Sequence, residues 1–120
     1  MKINYRTTGL VLATLALASV AALAQDVEMK VARSDAMKAA TSKVAPAYPS
    51  MAKQLRLEGD VEVEAHISET GSVESVKALT GNAVLVSAAV DAMKHWKFTP
   101  FTDGGKAVKA VAPIIFTFKL

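Results

Sequence analysis

Hydrophobic and polar positions alternate most cleanly at residues 59–68, where Val61, Val63, Ala65 and Ile67 fall on one face and Asp60, Glu62, Glu64, His66 and Ser68 on the other. A period of two without exceptions marks a strand with one face in a core and one in water. The turn Glu69-Thr70-Gly71-Ser72 follows, with Gly71 free to take positive φ, and residues 73–80 return as the second strand of a hairpin. In the return strand Val73 and Val76 are three apart, so a bulge or a change of face interrupts the alternation.

The period then changes. Leu85, Ala88, Ala89, Ala92 and Trp96 recur at helical spacing, with Ser87, Asp91, Lys94 and His95 turned away. This predicts an amphipathic helix over 83–97, capped by Asn82 and stopped by Pro100. A turn at Asp103-Gly104-Gly105 leads into the last segment, where Val108, Ala110, Ala112, Ile114, Phe116, Phe118 and Leu120 share one strand face. Pro113 inside it cannot donate a ladder hydrogen bond, which places this strand at an edge of its sheet. An apolar edge is either covered, by the segment at 26–34 or by a second copy, or left as a template for a strand from another molecule.

Ahead of residue 59 the pattern is weaker. Val27, Met29 and Val31 alternate with Asp26, Glu28 and Lys30 as a short strand over 26–34. Ser34 then caps a short helix whose stripe is Ala36, Met37, Ala40 and Thr41. Pro46 and Pro49 hold the residues before them extended, and Pro49 opens a short helix that runs to about Leu55 and ends near Gly59.

Residues 1–24 read differently from the rest. Lys2 and Arg6 precede an unbroken run of apolar and small residues from Gly9 to Leu23, and Ala22-Leu23-Ala24 is a small-x-small cleavage pattern. The run is shorter than the roughly 20 apolar residues a membrane-crossing helix needs. Export with cleavage after Ala24 is the expectation, and membrane contact follows only if the segment is retained. Residues 25–42 would then form a short extension and 43–120 the domain proper.

Cleavage also changes the charge. Without Lys2 and Arg6 there are 12 basic and 11 acidic residues, so a pI near 9.3 is no sign of nucleic acid binding. No run of adjacent bases interleaved with aromatics is present either. The absence of cysteine excludes disulfides, thiolate metal sites and Cys nucleophiles.

Candidate catalytic chemistry is thin. His66 lies on the wet face of a charged strand and His95 on the polar side of a helix, and neither has a nucleophile motif beside it. Glu58, Asp60, Glu62 and Glu64 read as a solvated face, without the spacing of a ligand set. Gly104-Gly105-Lys106 lacks the first glycine and the final Ser or Thr of a phosphate loop. No enzyme, metal or cofactor is expected. Trp96 and Phe98, with Val61, Val63 and Ile67, are expected to fill the core.

Three ordered blocks carry more information. They are Pro46-x-Tyr48-Pro49-x-x-Ala52; Gly59-x-Val61-x-Val63 with Ile67 and Gly71-x-Val73; and Ala88-Ala89, Ala92, Trp96, Phe98 and Pro100 before Gly105-Lys106 and Phe116. Together, over about residues 43–120, they resemble the C-terminal domain of TonB. The resemblance implies an α+β fold, a small antiparallel sheet with two helices on one face in the order α-β-β-α-β, here with an additional N-terminal strand and helix. It implies a periplasmic, protein-binding role, in which a TonB-box-like segment of an outer-membrane receptor, or another envelope protein, adds to the last strand. The matching partner-binding positions are Ala45, Pro46 and Tyr48 together with Ala110, Val111, Ala112, Ile114, Ile115, Phe116 and Phe118. The alternative is a structural envelope module, a self-pairing homodimer or cell-wall binder, using the same edge. Full TonB transducers also have a membrane anchor and a long Pro-rich spacer; this sequence shows no such spacer.

Overall fold

The computed structural model describes residues 28–120. The leader and its cleavage pattern lie outside them, as do Asp26 and Val27 of the first expected strand. Within these residues the chain runs β1 (Met29–Lys30), α1 (Arg33–Ala39), β2 (Ala40–Ser42), α2 (Ser50–Gln54), β3 (Gly59–Ile67), β4 (Val73–Thr80), α3 (Ala83–Met93), β5 (Lys97–Phe98), β6 (Phe101–Asp103), β7 (Lys106–Val108) and β8 (Ala110–Phe118).

The main sheet has the order β1-β8-β3-β4. β3 lies at its centre because both of its flanks are used. It pairs antiparallel with β4 after a tight turn, and antiparallel with β8 from Gly59 opposite Phe118 to Ile67 opposite Ala110. The period of two in β3 holds: Val61, Val63, Ala65 and Ile67 are fully buried, and β8 contributes Ala110, Ala112, Ile114, Phe116 and Phe118 to the same face. The β3–β4 register shifts twice, at Glu62/Val63 and at His66/Ile67, and the second shift accounts for the three-residue spacing of Val73 and Val76.

All three helices cover that one face in a single core cluster. α1 lies on β8 through Ala36, α3 crosses β3 and β4 through Leu85, Ala89, Ala92 and Met93, and α2 abuts α3. Asn82 caps α3, its side-chain oxygen accepting from the Val84 N–H at 2.8 Å. Pro49 stands one position ahead of α2 as its cap, and Ser50 is the first helical residue.

Several expectations change. α3 ends at Met93 rather than at residue 97, because the last turn tightens: His95 N–H bonds to Ala92 and Trp96 N–H to Met93, each three residues back. Lys97–Phe98 then extends to pair with β2. The final strand starts at Ala110, not at Val108, which instead belongs to the small hairpin of β6 and β7 around Asp103-Gly104-Gly105. Leu120 is 58% exposed and off the core face. The first strand is only Met29–Lys30, and the first helix runs from Arg33, after Ala32, to Ala39, so Ser34 sits inside its first turn and Ala40 and Thr41 fall in β2.

Candidate strand-docking edge

The last strand has unequal flanks. β3 pairs with it along its whole length, whereas β1 lies parallel to it only at Met29 opposite Ala110 and Lys30 opposite Val111. The Met29 N–H donates to Lys109 O and the Val31 N–H to Val111 O, both at 2.9 Å. Those two bonds fix which backbone groups face away from β3. Along a strand, successive residues present their N–H and C=O groups to opposite flanks, so Val111, Pro113, Ile115 and Thr117 point outward. Pro113 therefore lacks a donor that would have faced the outer flank, and the β3–β8 ladder loses nothing.

Beyond Val111 the outer flank is open. Among the described residues, the carbonyls of Pro113, Ile115 and Thr117 and the N–H groups of Ile115 and Thr117 have no backbone partner. Beside them runs a groove of about 350 Å³, with Ile115–Thr117 on one side and Lys43–Pro46 on the other, and with Met37 and Trp96 also lining it.

The Lys43–Tyr48 wall is held from behind. Trp96 Nε1–H donates to Val44 O at 2.9 Å. The Trp96 ring meets Phe116 edge-on at 5.6 Å, and Tyr48 meets Phe118 edge-on at 5.5 Å. The Tyr48 hydroxyl donates to Leu57 O. Burial pushes the Tyr48 phenol above its ordinary value, and the Glu58 carboxylate adds to the rise. On its other side the same wall, through Val44, Ala45, Ala47 and Pro49, borders a second groove of about 610 Å³ against α3.

The expected binding positions thus divide by what they present. Ala45, Pro46, Ile115 and Phe116 line the groove. Ala110, Ala112, Ile114 and Phe118 have their side chains in the core, and their backbone groups turn toward β3. Val111 faces outward, but its carbonyl is occupied by β1. Tyr48 belongs to the wall but packs its ring on Phe118 instead of lining the groove. Pro113 and Thr117, outside the expected set, supply groups to the open flank, and Lys43, Val44 and Met37 join the groove. The alternation of the strand held the signal for Pro113 and Thr117; the register that chooses between its two sets comes only from pairing. Trp96, Phe98, Val61, Val63 and Ile67 are all buried.

The charged strand face has its own partners. His66 lies between Glu28 and Glu64, at 3.2 and 3.0 Å. Asp60 accepts from the Thr117 hydroxyl at 2.7 Å, and Glu58 accepts from the Leu120 N–H at 2.7 Å. Among the described residues no group of His, Cys, Asp and Glu could hold a metal ion, and no helix is long and apolar enough to cross a membrane.

Residues 44–120 match the family described as the Gram-negative bacterial TonB protein C-terminal. The chain belongs to this family. Protein tonB2 of Pseudomonas aeruginosa is 35% identical over 78 residues, covering 63% of this chain and 29% of that protein. Protein TonB of Escherichia coli K12 is 31% identical over 71 residues, 58% of this chain and 30% of its own length. The chain thus spans less than a third of either relative. The solution structure of the Pseudomonas aeruginosa TonB C-terminal domain superposes with a TM-score of 0.57 at 30% identity, covering 68% of this chain and 84% of that one. The TonB match begins at residue 44, so β1, α1 and β2 lie ahead of it.

Proposed function

We propose that this chain is an exported envelope protein of TonB-dependent transport, whose TonB C-terminal domain binds an extended partner segment by strand addition. The segment is a TonB-box-like stretch of an outer-membrane receptor. The reading is carried by the open outer flank of β8 from Pro113 to Thr117, where backbone donors and acceptors stand unpaired beside an apolar groove. Backbone bonds to an added strand supply affinity, and the groove takes alternate side chains of that strand. The family membership supports the same reading, since the relatives are TonB proteins by name.

The test is an NMR titration with a synthetic TonB-box peptide. Shifts concentrated at the Ile115 and Thr117 amides, with smaller ones at Lys43–Ala45, are expected. A peptide that leaves those amides unmoved would defeat the reading. The same open flank is also available to a second copy of the chain, and light scattering separates the two: a stable dimer at low concentration favours a self-paired envelope module.

A further inference from the structure

We infer that β1 is a displaceable occupant of the docking edge, so that the partner strand and this chain's own N-terminal extension compete for one end of β8. The inference rests on the strand-addition reading. It concerns residues ahead of the TonB match, which starts at residue 44.

Three observations carry it. First, β1 occupies the backbone atoms that continue the open flank. The Lys109 and Val111 carbonyls accept from Met29 and Val31, and they lie in line with the open carbonyls of Pro113, Ile115 and Thr117. With β1 in place the free flank offers two N–H groups, those of Ile115 and Thr117, because Pro113 has none. A strand that also took Lys109 and Val111 would run along the whole of β8.

Second, β1 is held by little. It is two residues long, and Lys30 is exposed. The side-chain hydrogen bond that ties residues 28–32 down among the described residues is Glu28 to His66 at 3.2 Å. The segment's apolar anchors are Val31, 8% exposed, and Met29, half-buried against the core. Short pairings with few buried contacts open at the low end of a protein's stability range.

Third, departure of β1 leaves the sheet intact. β8 keeps its complete ladder to β3, and the core face of both strands stays under α1 and α3. The extension can therefore leave the edge without unfolding the domain.

Competition for shared atoms makes the coupling reciprocal: a ligand that takes the Lys109–Val111 end loosens β1, and fixing β1 weakens the ligand. Hydrogen exchange on the intact chain reads this directly. With a synthetic TonB-box peptide nine residues long, matching β8, exchange at the Met29 and Val31 amides is expected to quicken about tenfold or more as that at Ile115 and Thr117 slows. Protection gained at Ile115 and Thr117 while Met29 and Val31 keep theirs would overturn the inference and leave strand addition standing. No protection gained at Ile115 and Thr117 would overturn both.

A reversible lock gives a second measurement. The chain has no cysteine, so the pair Lys30→Cys and Val111→Cys, adjacent in register, can be joined without competing thiols. The oxidised form is expected to bind the peptide about tenfold more weakly than the same protein after reduction. Equal affinity in both forms would overturn the inference.

Discussion

Trp96 serves two parts of the molecule with one ring. Its face and edge fill the core against Phe116 and Phe98, and its Nε1–H holds the Val44 carbonyl of the groove wall. Trp96→Ala is expected to lower stability by about 3–5 kcal/mol in chemical denaturation. Trp96→Phe keeps most of the apolar volume and frees Val44, so it should cost less while still weakening peptide binding. Gly71 gives a sharper steric contrast: at φ +91° a Cβ there would lie 1.9 Å from the Phe98 carbonyl oxygen, whereas Gly104 at φ +61° has nothing within 4 Å. Gly104→Ala should therefore cost only about 1–2 kcal/mol, the left-handed penalty alone, and Gly71→Ala clearly more, as thermal melts would show. Tyr48 carries a pH signature. Because its folded value is raised above 10.0, its contribution to stability is complete below that pH and is lost as pH rises through the folded value. Ultraviolet titration should place its phenolate midpoint above that of a free tyrosine. Glu58→Gln should lower the midpoint without restoring it, since burial is the larger cause.

At the scale of elements, the alternation within β8 separates the groups of the proposed docking flank from those of the core ladder. Ile115 points its N–H to the open flank and Ile114 toward β3. Ile115→Pro removes one outward donor, about 0.5–1.5 kcal/mol, so peptide affinity should fall roughly two- to tenfold with the fold retained. Ile114→Pro breaks the central ladder and should not give a folded domain; circular dichroism beside the titration distinguishes the two. The strands of period two were legible in the sequence because each has one dry and one wet face, and the Asn82 cap because its chemistry is local. The end of α3 was not: Trp96 falls at helical spacing from Ala92 and Ala89, and only the demand of Phe98 to reach β2 and the Gly71 carbonyl makes the chain extend before it. β6 and β7 showed only their turn, since three-residue strands carry too few positions for a period. The proposed docking edge was readable as a strand with a proline in it, but the outward set, Pro113, Ile115 and Thr117, depends on pairing between residues far apart in the chain.

Cleavage after Ala24 would release a nearly neutral chain, and N-terminal sequencing of protein recovered from the periplasm is expected to read from Gln25. Beyond the two-residue β1, the two sides of the main sheet are built differently. β4 is interrupted by two register shifts and exposes Glu74 and Lys77, which hinder pairing, while β8 runs straight and partly bare. On the proposed strand-addition reading the main sheet therefore offers one edge suited to another strand. A sheet with two receptive margins can grow into a fibre, whereas one with a single receptive edge would be saturated by one neighbour. Even at high concentration, self-association should stop at a two-fold pair, and an added peptide should return that pair to monomers.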